Sequence, residues 1–325
     1  MSTRLALAIL AGALAACAAD DAVILVQKGA DSAGIYNART GEALATIPVG
    51  KKPHELVLSE DRRTAYVTNY GADTYTDLDP GDNTVSVIDL PARRKVADIN
   101  LGKYRRPHGI DRGKSGRLYI TTDFPAAVLV IDPAERKVLR EFPLEETLPH
   151  MLAVSRDEKT AVVACSGSGS VAVLSLETGR SSPVEIGGTP MGIVFSGDEK
   201  RAYATNRNGE AVAIIDVERA VLLTKLLVPG DPVRLQFSPD RRKLLVTFIG
   251  AGDAAVIDTL AMRPERRFPA GKSAEGLAFD DKGKFLYITA QGEDKLLKYS
   301  TGDWRLVLEV KTGAKPDTPA IFPLK

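Results

Sequence analysis

Residues 53–69 read PHELVLSEDRRTAYVTN, and residues 85–89 read VSVID. Pro53 fixes its own φ and has no N–H to donate, so it suits the first position of a strand. The apolar run Leu56-Val57-Leu58 follows, and a charged turn separates it from Ala65-Tyr66-Val67-Thr68-Asn69. The first run is short and apolar and the second is rich in β-branched and aromatic residues, so they read as two strands, with Val85-Ser86-Val87-Ile88-Asp89 as a third. The more polar Lys95-Val96-Ala97-Asp98-Ile99 reads as a fourth, at an outer edge where charge discourages further strand addition.

This unit repeats. The anchor recurs as Pro107-His108, Pro149-His150, Pro190-Met191, Pro232-Val233 and Pro316-Asp317, and Ala274-Glu275 holds the matching place without the proline. Counted at the second anchor residue, the intervals are 54, 42, 41, 42, 42 and 42, and the long first one holds an insertion around Gly71 to Asp82. A period near 42 residues is what a four-stranded propeller blade requires. Residues 22–49 supply strands of the second, third and fourth type with no first strand before them, and residues 317–324 supply a first strand with nothing after it. Joined, they complete a seventh blade. The sequence therefore predicts an all-β, seven-bladed β-propeller of four antiparallel strands per blade, a single domain over 22–325, closed by pairing of its N- and C-terminal strands.

Tyr66-Val67-Thr68-Asn69 and Val85-Ser86-Val87-Ile88-Asp89 resemble the YVTN family of β-propeller repeats, and the likeness covers essentially all of 22–325. The resemblance implies the propeller fold but singles out no activity. Related propellers serve as binding proteins, surface proteins, lactonases, lyases and redox-enzyme domains, so the site must carry the functional argument.

Residues 1–21 read as an export signal. Arg4 precedes the apolar run Leu5 to Leu14, too short for a membrane span, and small residues lead to Asp20-Asp21. Leu14-Ala15-Ala16-Cys17 resembles the lipobox of bacterial lipoproteins, which would make Cys17 the lipidated first residue, while Ala13-Leu14-Ala15 also fits ordinary cleavage. Either way the expected location is the bacterial periplasm or cell envelope, with membrane attachment only through a lipid at Cys17. Cys165 is then left without a partner, so no disulfide is expected, and it reads as a small buried hydrophobe. A net charge of +1, with both signs dispersed, argues against a nucleic-acid partner. The basic clusters, Arg105-Arg106 among them, are expected in solvated turns.

The second anchor residue should sit at the top of the innermost strand beside the central channel. Around the ring that position reads His54, His108, His150, Met191, Val233, Glu275 and Asp317, which includes all three histidines of the protein. Imidazole and carboxylate are ligands of divalent transition metals, and convergent imidazoles favour zinc or copper. The sequence thus nominates His54, His108, His150, Glu275 and Asp317 as metal ligands, with the histidines on one side of the opening and the two acids on the far side. The alternative is that the histidines cap strands or bond to neighbouring blades, copied by repeat duplication.

Other groups are weaker candidates. Asp73, Asp77, Asp79 and Asp82 crowd the insertion, where a solvated loop competes with a calcium site that matches no defined spacing. Tyr70, Tyr75 and Tyr104 could line a ligand mouth, and Asn69, Asn206 and Asn208 could offer oxygen ligands. Gly167-Ser168-Gly169 is a turn with no helix after it, and Ser166 has no neighbouring triad partners. The expected function is an exported binding protein that uses the channel mouth for a small molecule, a metal ion or an envelope protein. The alternative is a metal-dependent enzyme of the lactonase or lyase type. No Cys-x-x-Cys-His segment supports covalent haem.

Overall fold

The computed structural model describes residues 21–324. Its strands form seven separate four-stranded antiparallel sheets, the blades. The innermost strands are Pro53–Leu58, Arg105–Arg112, Pro149–Val154, Pro190–Phe195, Pro232–Phe237, Ala274–Phe279 and Pro316–Pro323, and blades are numbered one to seven in that order. The seventh closes the ring as expected. Pro316–Pro323 pairs antiparallel with Asp21–Gln27, with Asp21 opposite Pro323 and Ile24 opposite Ala320. Cys17 lies outside the described residues.

The core sits between blades rather than within them. Ile24, Val26 and Ile35 of blade seven pack with Leu56, Val67 and Ile88 of blade one, and six further clusters repeat this around the ring. The alternation of each strand serves two interfaces at once, so both faces of the middle strands are buried and only the fourth strands, such as Arg94–Asn100, alternate outward. Cys165 is a free, fully buried thiol within one of these clusters, and its pKa is pushed up by burial.

Every innermost strand carries the same irregularity. In blade one Pro53 faces Asn69 but Leu56 faces Val67, so His54 and Glu55 oppose the single residue Thr68. The same one-residue bulge follows each anchor around the ring. A bulge re-aims side chains that strict alternation would send to opposite faces. Its carbonyls need partners, and the second strand's threonine supplies one across the blade boundary. Thr68 Oγ1 donates to the His108 carbonyl at 2.8 Å and Thr121 Oγ1 to the His150 carbonyl at 2.6 Å. The chain also enters most of these strands through a left-handed residue: Lys52, Arg106, Leu148, Asp231, Ser273 and Lys315 have φ between 45° and 60°.

The second bulge position is crowded. A Cβ at Gly109 would lie 2.5 Å from the His150 carbonyl oxygen, and one at Gly276 would lie 2.7 Å from that of Asp317. Blades two, four and six therefore carry glycine there, while blades one and five carry Glu55 and Arg234.

Candidate ligand site at the channel mouth

The bulges bring the histidines to one end of the channel. His54, His108 and His150 are all buried, and their rings lie side by side, with centroids 4.5 Å apart for the first pair and 3.8 Å for the second. Tyr70, from the end of the second strand of blade one, meets the rings of His54 and His108 edge-on at 5.1 and 5.2 Å. Its hydroxyl donates to Asp123 at 2.6 Å, which fixes the ring over the pair.

Burial depresses all three imidazole pKa values, because the charged form loses its water. His54 falls to about 4, with Lys28 adding to the burial effect, and His108 and His150 fall well below the ordinary value. All three rings are therefore neutral at physiological pH. His150 Nδ1 lies 3.2 Å from the Met191 carbonyl and serves as the donor there, which leaves Nε2 as its lone-pair nitrogen. His54 Nδ1 sits 3.0 Å from Asp317 Oδ2, an ion-pair distance whose alignment falls short of a hydrogen bond. His108 Nδ1 is buried and has no hydrogen-bond partner.

Two of the nominated residues stand elsewhere than expected. Ring closure sets blade seven beside blade one, so Asp317 neighbours His54 instead of facing it across the channel. Glu275 and Asp317 belong to a buried charge cluster around Arg234, whose Nη2 contacts Glu55 Oε1, Asp317 Oδ1 at 3.3 Å and Glu275 Oε1 at 3.8 Å. Thr318 Oγ1 donates to the other oxygen of Glu55 at 2.5 Å. Burial pushes the carboxyls of Glu55 and Glu275 up, with Asp317 adding to it, and Arg234 only partly offsets this. Asp317 is also buried, but His54 and Arg234 outweigh the desolvation and hold it below the usual carboxylate range.

Among the described residues, one group of His, Cys, Asp and Glu has ligand atoms all within 4.8 Å of one another: His54, Glu55 and His108. The five residues nominated from the sequence do not form one such group. His54 and His108 belong to the observed one, and Glu55, which the sequence did not nominate, joins them because the bulge delivers two successive side chains from one blade.

The mouth encloses a cavity of about 240 Å³. The three histidines line it, with Tyr70, Tyr75, Met191 and Ile249 on its apolar wall and Lys28, Arg207, Arg234 and Lys315 as cations. Lys28 opens a single 3-10 turn, Lys28–Ala30, after the strand Asp21–Gln27, and its backbone N–H donates to the Lys315 carbonyl at 3.0 Å. Its side chain is 8% exposed, and burial lowers its pKa.

The insertion forms one lip of the cavity through Asp73, Thr74 and Tyr75. It is organised around Arg106, which is 1% exposed and not in a solvated turn as the sequence suggested. Its guanidinium donates to the carbonyls of Tyr75, Asp77 and Asp79 and lies 3.9 Å from Asp123. The loop carbonyls are thus gathered by an arginine. The acidic side chains turn to local N–H groups: Asp77 Oδ2 accepts from Asp73 and Thr74. Tyr104 instead bonds Glu141 at the blade's outer part. Asn69 and Asn206 hold turns, the latter accepting from Thr189 and Gly209 and donating to the Ile186 and Gly187 carbonyls, and Asn208 is exposed. Ser166 bonds the Pro190 carbonyl.

Fold and mouth together define the class: a seven-bladed β-propeller with a half-open cavity at one end of its channel, lined by histidines, acids and cations beside an apolar wall. Within that class the chain is YncE-like. It is 24% identical to the uncharacterized protein YncE of Salmonella typhimurium over 242 residues, which is 74% of this chain and 54% of the relative, so it spans about half the length of the curated relatives it matches. The YncE of Salmonella typhi matches over the same length at 23%. No family model matches the chain. A functionally unknown protein from Desulfotomaculum acetoxidans superposes with a TM-score of 0.77 at 17% identity, covering 94% of this chain and 99% of that one. The periplasmic gluconolactonase of Pseudomonas aeruginosa superposes with a TM-score of 0.74 at 18% identity, with the same coverage. At these identities the solved structures establish the fold alone.

Proposed function

We propose that this is an exported binding protein of the bacterial envelope whose channel mouth holds a divalent transition metal ion, zinc or copper, on His54, Glu55 and His108. The observation that carries this reading is the set itself: two neutral, buried imidazoles and the buried carboxyl of Glu55, whose proton a bound metal would displace, gathered within 4.8 Å at the channel mouth, with a ring nitrogen of His108 lacking any partner. Buried polar atoms are ordinarily satisfied, so an orphan imidazole nitrogen beside a cavity favours a ligand. Asp317 Oδ2 lies 3.0 Å from His54 Nδ1, and by accepting the Nδ1 proton it would hold the ring with Nε2 left for the metal. Three protein ligands are one fewer than a closed structural site uses, so a metal held here would keep a position for water or a ligand. Calorimetric titration of metal-free protein with zinc and copper tests this beside His108→Ala and Glu55→Gln. Absence of binding tighter than about ten micromolar, or binding untouched by both variants, would leave the histidines as strand caps.

A metal-dependent enzyme of the lactonase type is the second reading, favoured by one feature. Glu275 lines the cavity as a buried carboxyl that burial pushes up to about 7, so it is partly protonated near neutrality, as a proton donor must be. Turnover of gluconolactone by zinc-loaded protein, lost in Glu275→Gln, would move the assignment from binding to catalysis.

A further inference from the structure

We propose that the cavity at the channel mouth receives a small organic carboxylate, held by Lys28 and by the free donors of Arg234. The inference rests on reading the channel mouth as a ligand site but does not depend on the metal.

Lys28 lines the cavity, is 8% exposed, and makes no side-chain hydrogen bond or ion pair among the described residues. The anions near enough to influence it are Asp317, Glu275 and Asp73. Each is committed elsewhere. Asp317 and Glu275 face Arg234, and Asp73 pairs with Lys52 at 3.1 Å and Lys315 at 3.8 Å. The fourth lining cation, Arg207, lies 3.8 Å from Asp231. Lys28 is therefore the lining cation without a counter-ion, and a buried unpaired charge is costly unless something pairs it.

A second, independent observation points the same way. Arg234 presents only Nη2 to its three carboxylates, and its Nε and Nη1 are buried with no hydrogen-bond partner. Nε–H and Nη–H groups of one guanidinium form the fork that matches two carboxylate oxygens. An anion in the cavity would satisfy Lys28 and relieve these donors together.

The rest of the cavity describes the ligand's body. Tyr70, Tyr75, Met191 and Ile249 supply apolar surface that a bare inorganic anion would leave uncovered. A volume of about 240 Å³ admits roughly ten non-hydrogen atoms at the packing density of protein interiors. A carboxylate on a short aliphatic or single-ring body fits both.

Benzoate, lactate and inorganic phosphate are titrated calorimetrically into chelator-treated protein, into zinc-loaded protein and into Lys28→Met, with zinc binding and melting temperature measured for each. The expected result is binding of benzoate or lactate in preference to phosphate, weakened about tenfold or more in Lys28→Met while zinc binding is retained. Should that variant fail to fold, acetylation of wild-type Lys28 by acetic anhydride, mapped by mass spectrometry, serves instead: the bound carboxylate should slow it. The inference is overturned if neither carboxylate binds with or without zinc, if binding leaves Lys28 equally reactive, or if phosphate binds as tightly as both. Carboxylate binding that protects Lys28 in a protein that takes no metal would sink the metal reading and leave this one standing.

Discussion

Replacing Arg234 with methionine should destabilise the protein strongly at pH 8 and much less at pH 5. Among the described residues the guanidinium is the one Lys or Arg group in contact with Glu55, Glu275 and Asp317, all of them buried. Removing one member of a buried ion cluster leaves charge uncompensated, at about 3–5 kcal/mol. At roughly 1.6 °C per kcal/mol for about 300 folded residues, the melting temperature should fall by about 5–8 °C at pH 8. The pH dependence follows from the carboxyls. Burial raises Glu55 to about 8 and Glu275 to about 7, above their ordinary value of 4.5. A raised folded-state pKa contributes stability that is present below the unfolded value and lost as pH rises through the folded one. At pH 5 both groups are protonated in the native state, so Arg234 then neutralises little beyond Asp317. The neutral histidines lose stability in acid in the wild type too, so the comparison with the variant removes that contribution. Melting curves of both proteins by circular dichroism at the two pH values decide it. An equal loss at both, or a larger one at pH 5, would mean that Arg234 acts by packing and that the charge argument is wrong.

Deleting residues 316–325 removes the innermost strand of the closing blade and its ladder to Asp21–Gln27, so it should sharply lower the melting temperature or abolish folding; an unchanged transition would contradict the closure. Cys17→Ala should release the protein from membranes or block its maturation, checked by fractionation and by mass spectrometry of the mature N-terminus, and a wild-type protein found soluble and starting at Ala16 or Ala18 would remove the lipid anchor. Gly109→Ala sets a Cβ against the His150 carbonyl at 2.5 Å and should cost about 1–3 kcal/mol while also weakening zinc binding, because the strain falls on the bulge residue next to His108, one of the proposed ligands; a stable variant with unaltered binding would show that the bulge yields freely.

What could be read from the chain depended on whether a residue shares the repeat's register. The anchors, the strand types and the terminal closure were legible because one physical requirement, an apolar four-strand blade between two others, recurs along the sequence. The histidine ring was legible for the same reason. Glu55 and Arg234 were not, because period-two alternation places the residue after His54 or Val233 on the opposite face, and only the bulge returns it to the channel. Lys28 escaped because it stands after a strand of the second type, in a turn that bears no anchor. Arg106 escaped because its cluster of basic residues looks like any solvated turn, whereas the carbonyls of the inserted loop close over its guanidinium.

One signal for the missing residues was nevertheless present. The second bulge column reads Glu55, Gly109, Met151, Gly192, Arg234, Gly276 and Thr318. Three glycines in a column imply a place where a side chain meets the neighbouring blade's backbone. A glutamate and an arginine in that same column must therefore reach somewhere other than the blade interface, and the channel is the space left. Opposite charges in a column that is glycine in three of its other five places do not read as solvated surface residues. They are explained if the channel is where the buried Glu55–Arg234 pair sets the charge that the mouth presents to its ligand.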